Sequence, residues 1–395
     1  MCKGLFRTFR SGKGDCIFLL LEDEGQPYNI MVDCGNFTDE IEEFVNNKLL
    51  KHIHLLVITH IDCDHVDGIC EMLRKHSDLV IDKILYNCYQ MMDGAGIAKN
   101  PVVVADTNKL KRNLSPLVPL TEGKIGIEQA CDVAGLILSN PRWCAAWQKD
   151  SYFHKDINPI NLGGKFGRII LLSPTQEDLK ALEDIFAREY LRLTHHPAVQ
   201  VPYNGSETLF ELVIRIVQMK RQEKAFKKNI KVGYKREQIN EETIRSAAEF
   251  DPQRVSDENS ASIAFIWECN GKRLLFLGDA EPSVVNASIK EKYQVPLDIV
   301  AVKVSHHGSK HSTNMDLLKN VKTSEFFVTG GNKTDKPSIE ALAKIFTWEE
   351  NAEKVIHYNN RESALMKALS SNDCRGIRDT YHIQVTDANE LEFEY

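Results

Sequence analysis

Over the first ninety residues, short apolar runs alternate with polar, turn-rich stretches, with the period of two that half-buried strands require. Residues 5–9 and 16–22 are predicted strands on either side of a turn at Ser11-Gly12-Lys13-Gly14. Residues 28–35 form a third strand ending in Asp33-Cys34-Gly35. Helical spacing follows at 39–50 and 66–75, with apolar strands at 54–60 and 79–87. A hairpin followed by βαβα order predicts a layered α/β fold.

The pattern is less regular from 91 to 166. Residues 126–138 have helical periodicity, and Trp143 and Trp147, four apart on a predicted helix, read as packing residues. Residues 168–172 form a strand closed by Ser173-Pro174, and 175–193 a helix capped by Ser173 or Thr175. A long helix is expected at 206–228. Residues 261–269 and 272–279 are strands joined by Asn270-Gly271, a strong hairpin signal. A strand at 298–308 feeds a loop, strands follow at 324–331 and 354–360 with a helix at 338–346, and 381–395 reads as a terminal hairpin. There is no internal repeat.

Composition narrows this picture. The 395 residues are 43% apolar and 27% charged, which excludes a disordered chain, a fibre or a disulfide mini-scaffold. The longest apolar run near the start, 17–21, is too short for a signal segment, and no window suits a transmembrane helix. Ten cysteines without a CxxC pair read as free thiols, and a cytoplasmic location is expected. The net charge of −7 hides one basic stretch, 215–236, in which Glu223 is the single acid. Such a stretch is either a solvated helix face or a surface that tracks phosphates.

The chemistry concentrates at Thr59-His60-Ile61-Asp62-Cys63-Asp64-His65, directly after an apolar strand. A loop at a strand end can aim two carboxylates and two imidazoles at one point and hold two divalent ions. Cys63 reads as a packing residue facing away from its alternating neighbours. Gly278-Asp279 and Ser305-His306-His307-Gly308 place further ligand-type residues at two other strand ends.

These motifs resemble the metallo-β-lactamase superfamily. His60-x-Asp62-x-Asp64-His65 resembles its HxHxDH signature, Leu277-Gly278-Asp279 its bridging aspartate, and Val32-Asp33-Cys34-Gly35 its early IDxG element. The competence-type (ComEC-like) branch is the most similar. Gly12-Lys13-Gly14-Asp15 resembles its GQGDA opening, and Leu172-Ser173-Pro174 with 258–262 its "xxP … NDSS" segment. Lys303-Val304-Ser305-His306-His307-Gly308-Ser309 resembles its KVPHHGS. The branch's later Gly-His-Pro is missing, because Lys336 stands where its His would be.

The resemblance implies an αββα sandwich with largely helical insertions. The core would comprise 1–90, 167–174 and 257–395, and 91–166 and 175–256 would be inserted. It implies hydrolysis by water activated between two divalent ions, zinc by default and manganese as a rival. His60 and Asp62 would hold one ion and Asp64 and His65 the other, with Asp279 bridging. One of His306 and His307 would complete a shell and the other would be free to protonate a leaving oxygen, with His306 the candidate ligand, Asp64 and His307 the catalytic candidates, and Asp33 bracing the metal loop. The expected substrate is a phosphodiester of nucleic acid, with Lys227, Lys228 and Lys336 as candidate phosphate contacts. The branch also suggests a partner protein in a genome-defence or DNA-processing system. Two rivals stay open: a small-molecule hydrolase acting on a nucleotide, phosphoester, thioester or lactone, and a non-catalytic interaction module.

Overall fold

The computed structural model describes residues 2–88, 133–148, 151–195, 211, 214, 239–331 and 335–395. Its strands assort mainly into two sheets. The first joins β1 (Lys3–Thr8), β2 (Cys16–Asp23), β3 (Gln26–Cys34), β4 (His52–Val57) and β5 (Val80–Leu85) in chain order. The second is built from β6 (Ile160–Asn161), β7 (Arg168–Ser173), β8 (Ala264–Cys269), β9 (Lys272–Phe276), β11 (Ala301–Lys303), β13 (Glu325–Val328), β14 (Lys354–Tyr358) and β15 (Ile383–Thr386). Its order is β15-β14-β13-β11-β9-β8-β7-β6. A short parallel pair, β10 (Leu297–Asp298) with β12 (Val321–Lys322), stands apart. The last strand, β16 (Glu390–Glu394), returns to the first sheet and pairs antiparallel with β1.

Strand patterning explains the layers. Successive side chains of a strand point to opposite faces. On β2, Ile17, Leu19 and Leu21 enter a core between the sheets, while Cys16 and Phe18 enter a core on the outer face. The inner core includes Phe6, Phe265, Trp267, Phe276 and Phe327. Its rings pack closely, with centroids 4.6 Å apart for the tilted pair Phe6 and Phe327 and 4.5 Å for the stacked pair Phe265 and Phe276. Each such side chain contributes about 1.5–3 kcal/mol by burial.

Helix Cys63–Lys75 covers the first sheet through Val66, Ile69, Met72 and Leu73. Trp143 and Trp147 belong to the same outer core, and their indole N–H groups donate to the Leu79 and Tyr86 carbonyls. Helices Pro282–Lys292, Ile339–Thr347 and Ala364–Ser370 cover the second sheet through residues such as Ile289, Leu342 and Met366. The fold is therefore α/β, with two sheets face to face and helices outside both. Among the described residues no helix is long and apolar enough to cross a membrane.

Several expectations change. The terminal hairpin is absent, because β15 pairs with β14 in one sheet and β16 with β1 in the other. Phe153, Ile160 and Leu162, read as part of an insertion, line the inner core. Ile244, also from a segment read as inserted, lies in the second outer core. The helix Gln176–His195 is capped by Thr175, which exchanges hydrogen bonds with Asp178, whereas Ser173 bonds the Ser262 carbonyl instead. Cys70 is disulfide-bonded, against the expectation of free thiols throughout. The basic stretch 215–236, with Lys227 and Lys228, lies outside the described residues.

Candidate metal centre

The candidate residues converge where parallel strands of both sheets end. Asp33 closes β3, and Thr59 and His60 follow β4. Asp279 follows β9, His306 and His307 follow β11, and Thr329 follows β13. The carboxyl ends of parallel strands are where open α/β sheets place ligand sites. The motif itself is not an extended loop: Asp62 is the N-cap of helix Cys63–Lys75, so Asp64 and His65 sit on its first turn. Cys63 is exposed rather than packed, since helical spacing rather than alternation governs it.

Two glycines let this turn approach the first sheet. A Cβ on Gly14 would stand 1.6 Å from the Asp64 carbonyl oxygen, and one on Gly35 2.2 Å from it. The same oxygen accepts the Asp15 N–H at 3.1 Å. Only glycine permits this contact, which gives the Gly12-Lys13-Gly14-Asp15 and Asp33-Cys34-Gly35 motifs a physical reason.

Hydrogen bonding fixes the histidine tautomers. Asp33 Oδ2 accepts from His65 Nδ1 at 2.8 Å and from the Thr59 hydroxyl at 2.7 Å. The Thr59 hydroxyl has thereby spent its one proton and can only accept from His60 Nδ1, at 3.0 Å. In the neutral rings, Nε2 of both histidines is left bare. His65 Nε2 lies 3.4 Å from Asp279 Oδ1 and His60 Nε2 3.6 Å from Asp279 Oδ2. His60 Nε2, His65 Nε2 and Asp279 Oδ1 are all buried with no hydrogen-bond partner. Asp62 Oδ2 stands 3.7 Å from His60 Nε2, and His306 Nε2 3.4 Å from Asp279 Oδ2. His306 is held at Nδ1 by the Asn259 amide and the Ser312 hydroxyl.

His307 repeats the arrangement. A carbonyl cannot donate, so its Nδ1–H must donate to Thr329 O at 2.9 Å. Nε2 then faces Asp64 Oδ2 at 3.2 Å. Among the described residues, two of the donor groups, His60–His65–Asp279 and Asp64–His65–His307, face the motif, and both converge on His65, as does a third, Asp15–Asp33–His65, behind them. In each of the first two, acceptor faces acceptor, which only a proton or a cation between them satisfies. The donor set of imidazoles and carboxylates suits zinc or manganese.

Electrostatics follow the same pattern. Burial would lower His65, but the Asp279 and Asp33 carboxylates outweigh it and hold the ring well above the ordinary histidine range. Burial would raise Asp279, but His306, His65 and His60 hold it well below the carboxylate range. Burial drives His306 down to about 4 against the pull of Asp279, and Lys336 and His307 add to the fall.

The structure thus brings His60, Asp62, Asp64, His65, Asp279, His306 and His307 together with Asp33 behind them. Lys336 lies near enough to act on His306. Sequence reasoning did not single out Asp15, Thr59, Asn259, Ser262, Lys303, Ser312 or Thr329 as site residues. Ser262 Oγ accepts the Asp279 N–H at 3.1 Å. Asp15 and Lys303 had a signal, since each stands inside a motif read for another residue. No family model matches the chain, and no curated protein matches it.

Proposed function

We propose that the chain is a metal-dependent hydrolase of the metallo-β-lactamase superfamily, ComEC-like branch, acting on phosphodiester bonds of nucleic acid. One observation carries the reading: the Nε2 atoms of His60 and His65 are buried side by side with an oxygen of Asp279, 3.4–3.6 Å from its carboxylate, all three with no hydrogen-bond partner. A soluble core with no ligand to bind has no reason to keep three such atoms out of water.

His60, His65 and Asp279, with Asp62 at the rim, would hold one ion, and His306, whose Nδ1 accepts from Asn259, would donate its Nε2–H to Asp279. Asp64 and His307 would hold a second, because His65 has one free nitrogen, Nε2, and it faces Asp279. Bound divalent ions supply a hydroxide-like nucleophile near neutral pH and neutralise charge on the phosphoryl group. The chain's own residues do the rest. Asp33 fixes the rings of His65 and, through Thr59, His60. His307 is fully buried, so it communicates with substrate through Asp64, whose side chain is 34% exposed and 3.2 Å away. The Asp64–His307 pair shares either the second ion or a proton. With neither ion nor proton between them, the pair would take a proton from the attacking water into that shared position and return it to the leaving oxygen, worth about 10²–10⁴-fold in rate. Lys336 and the stretch 215–236 supply cations for phosphate contacts.

The test is a divalent-metal screen of purified protein against single- and double-stranded nucleic acid, a generic phosphodiester and a neutral ester. Metal-dependent cleavage of the nucleic acids is expected. A protein that takes up no divalent ion would overturn the reading, and cleavage confined to the neutral ester would redirect it to small-molecule hydrolysis.

A further inference from the structure

Beneath the donor groups lies a charged residue the proposed reaction does not use. Lys303 ends β11 of the second sheet between Val302 and Val304, and its side chain is 1% exposed. Its ammonium forms an ion pair with Asp15 Oδ2, from the loop leading into β2 of the first sheet, and donates to the Gly278 carbonyl at 3.4 Å. Asp15 is equally buried. Its Oδ1 lies 3.2 Å from His307 Nδ1 and accepts the Thr329 hydroxyl. Its backbone is tied on both sides, to the Asp64 carbonyl and to the Gly35 N–H. Burial opposes a charge on Lys303, but the Asp15, Asp279 and Asp33 carboxylates outweigh it and hold the ammonium above the ordinary lysine range.

Three carboxylates, Asp15, Asp33 and Asp279, are almost fully buried here around His65, and Lys303, the one side chain among them that is a cation without a metal or a titrating ring, pairs directly with Asp15 and acts on the other two at longer range. Buried carboxylates without compensating charge are strongly destabilising. A centre relying on metal alone for that compensation would unfold on metal loss, as structural zinc sites do. We propose that Lys303 is a resident counter-cation for these carboxylates, so that the centre stays folded when its metal leaves, and that Asp15 passes this constraint to His307. The inference rests on the reading of the centre as metal-binding. It makes Lys303 and Asp15 positioning residues, and makes metal exchange independent of folding.

The experiment is thermal denaturation of the full chain in excess chelator and in zinc, for wild type, K303M, K303R and D15N/K303M. Wild type should melt cooperatively in chelator. K303M should melt at least about 5 °C lower there, and should gain more from zinc than wild type does. K303R should lie between them, and D15N/K303M should recover half the loss or more, which a purely space-filling role would not produce. K303M melting within about 1 °C of wild type in chelator overturns the proposal. Where K303M does not fold at all, the double variant decides: folded supports it, unfolded overturns it. Zinc titration of wild type stands apart. No uptake defeats the metal reading, while the chelator melts still judge the counter-cation.

Discussion

Asp33 Oδ2 lies 2.8 Å from His65 Nδ1, and this contact decides which nitrogen His65 turns toward Asp279. The same oxygen acts on His60 one hydrogen bond further away, through Thr59. Asp33→Asn keeps the side chain's shape and suits its left-handed backbone, at φ 56°. It is expected to weaken zinc binding and to slow hydrolysis about 10–100-fold. Chelator competition and initial rates check this, and an unchanged affinity would refute the bracing role.

Because Asp64 and His307 would hold one ion and His65 the other, each single substitution should lower the stoichiometry. Wild type is expected to retain two equivalents of zinc. Asp64→Ala, His307→Ala and His65→Ala should each retain one, all with native circular dichroism. Elemental analysis after dialysis reads the outcome. Equal metal content in all four proteins would show that the donors do not form two groups.

Gly14→Ala places a carbon 1.6 Å from a backbone oxygen of the metal-binding turn. The turn must move, and small misplacements of catalytic groups cost about 10²-fold in rate. Hydrolysis should fall by that much or more, with a lower melting temperature. Gly376→Ala, where the added carbon meets nothing within 4 Å, is the control and should change neither. A Gly14→Ala enzyme of normal activity would mean that the contact is dispensable.

Lys227 and Lys228 test the polymer reading. Charge reversal at both is expected to reduce cleavage of nucleic acid and flatten its salt dependence by about two phosphate contacts, leaving turnover of a generic phosphodiester intact. Equal loss on both substrates would instead place these lysines in general stability.

Local chemistry made much of this legible. Asn270-Gly271 announces the β8–β9 pair, and the apolar run before His60 announces β4. Alternation reports which face a residue occupies but not which strand it will pair with, so Ile383–Thr386 and Glu390–Glu394 looked like one hairpin although they enter different sheets. Cys63 was misread because a helix begins one residue after Asp62, and the period of two does not apply there. Asp15 and Lys303 were visible as letters within motifs. Their pairing is a contact between sheets that no local pattern encodes.

Asp33, His306 and His307 share a backbone feature besides their chemistry. All three are left-handed, with φ of 56°, 48° and 55°. For residues with a Cβ such conformations cost of order 1–3 kcal/mol each. The centre is thus a built-in ceiling on the chain's durability. His306→Gly relaxes the backbone at the most accessible of the three and is expected to melt higher while hydrolysing more slowly, in the manner of stability–activity trade-offs. Calorimetry paired with rate measurements checks this, and a variant losing on both counts would contradict it. Selection for heat resistance alone, with no demand for turnover, should erase the site before it touches the sheets.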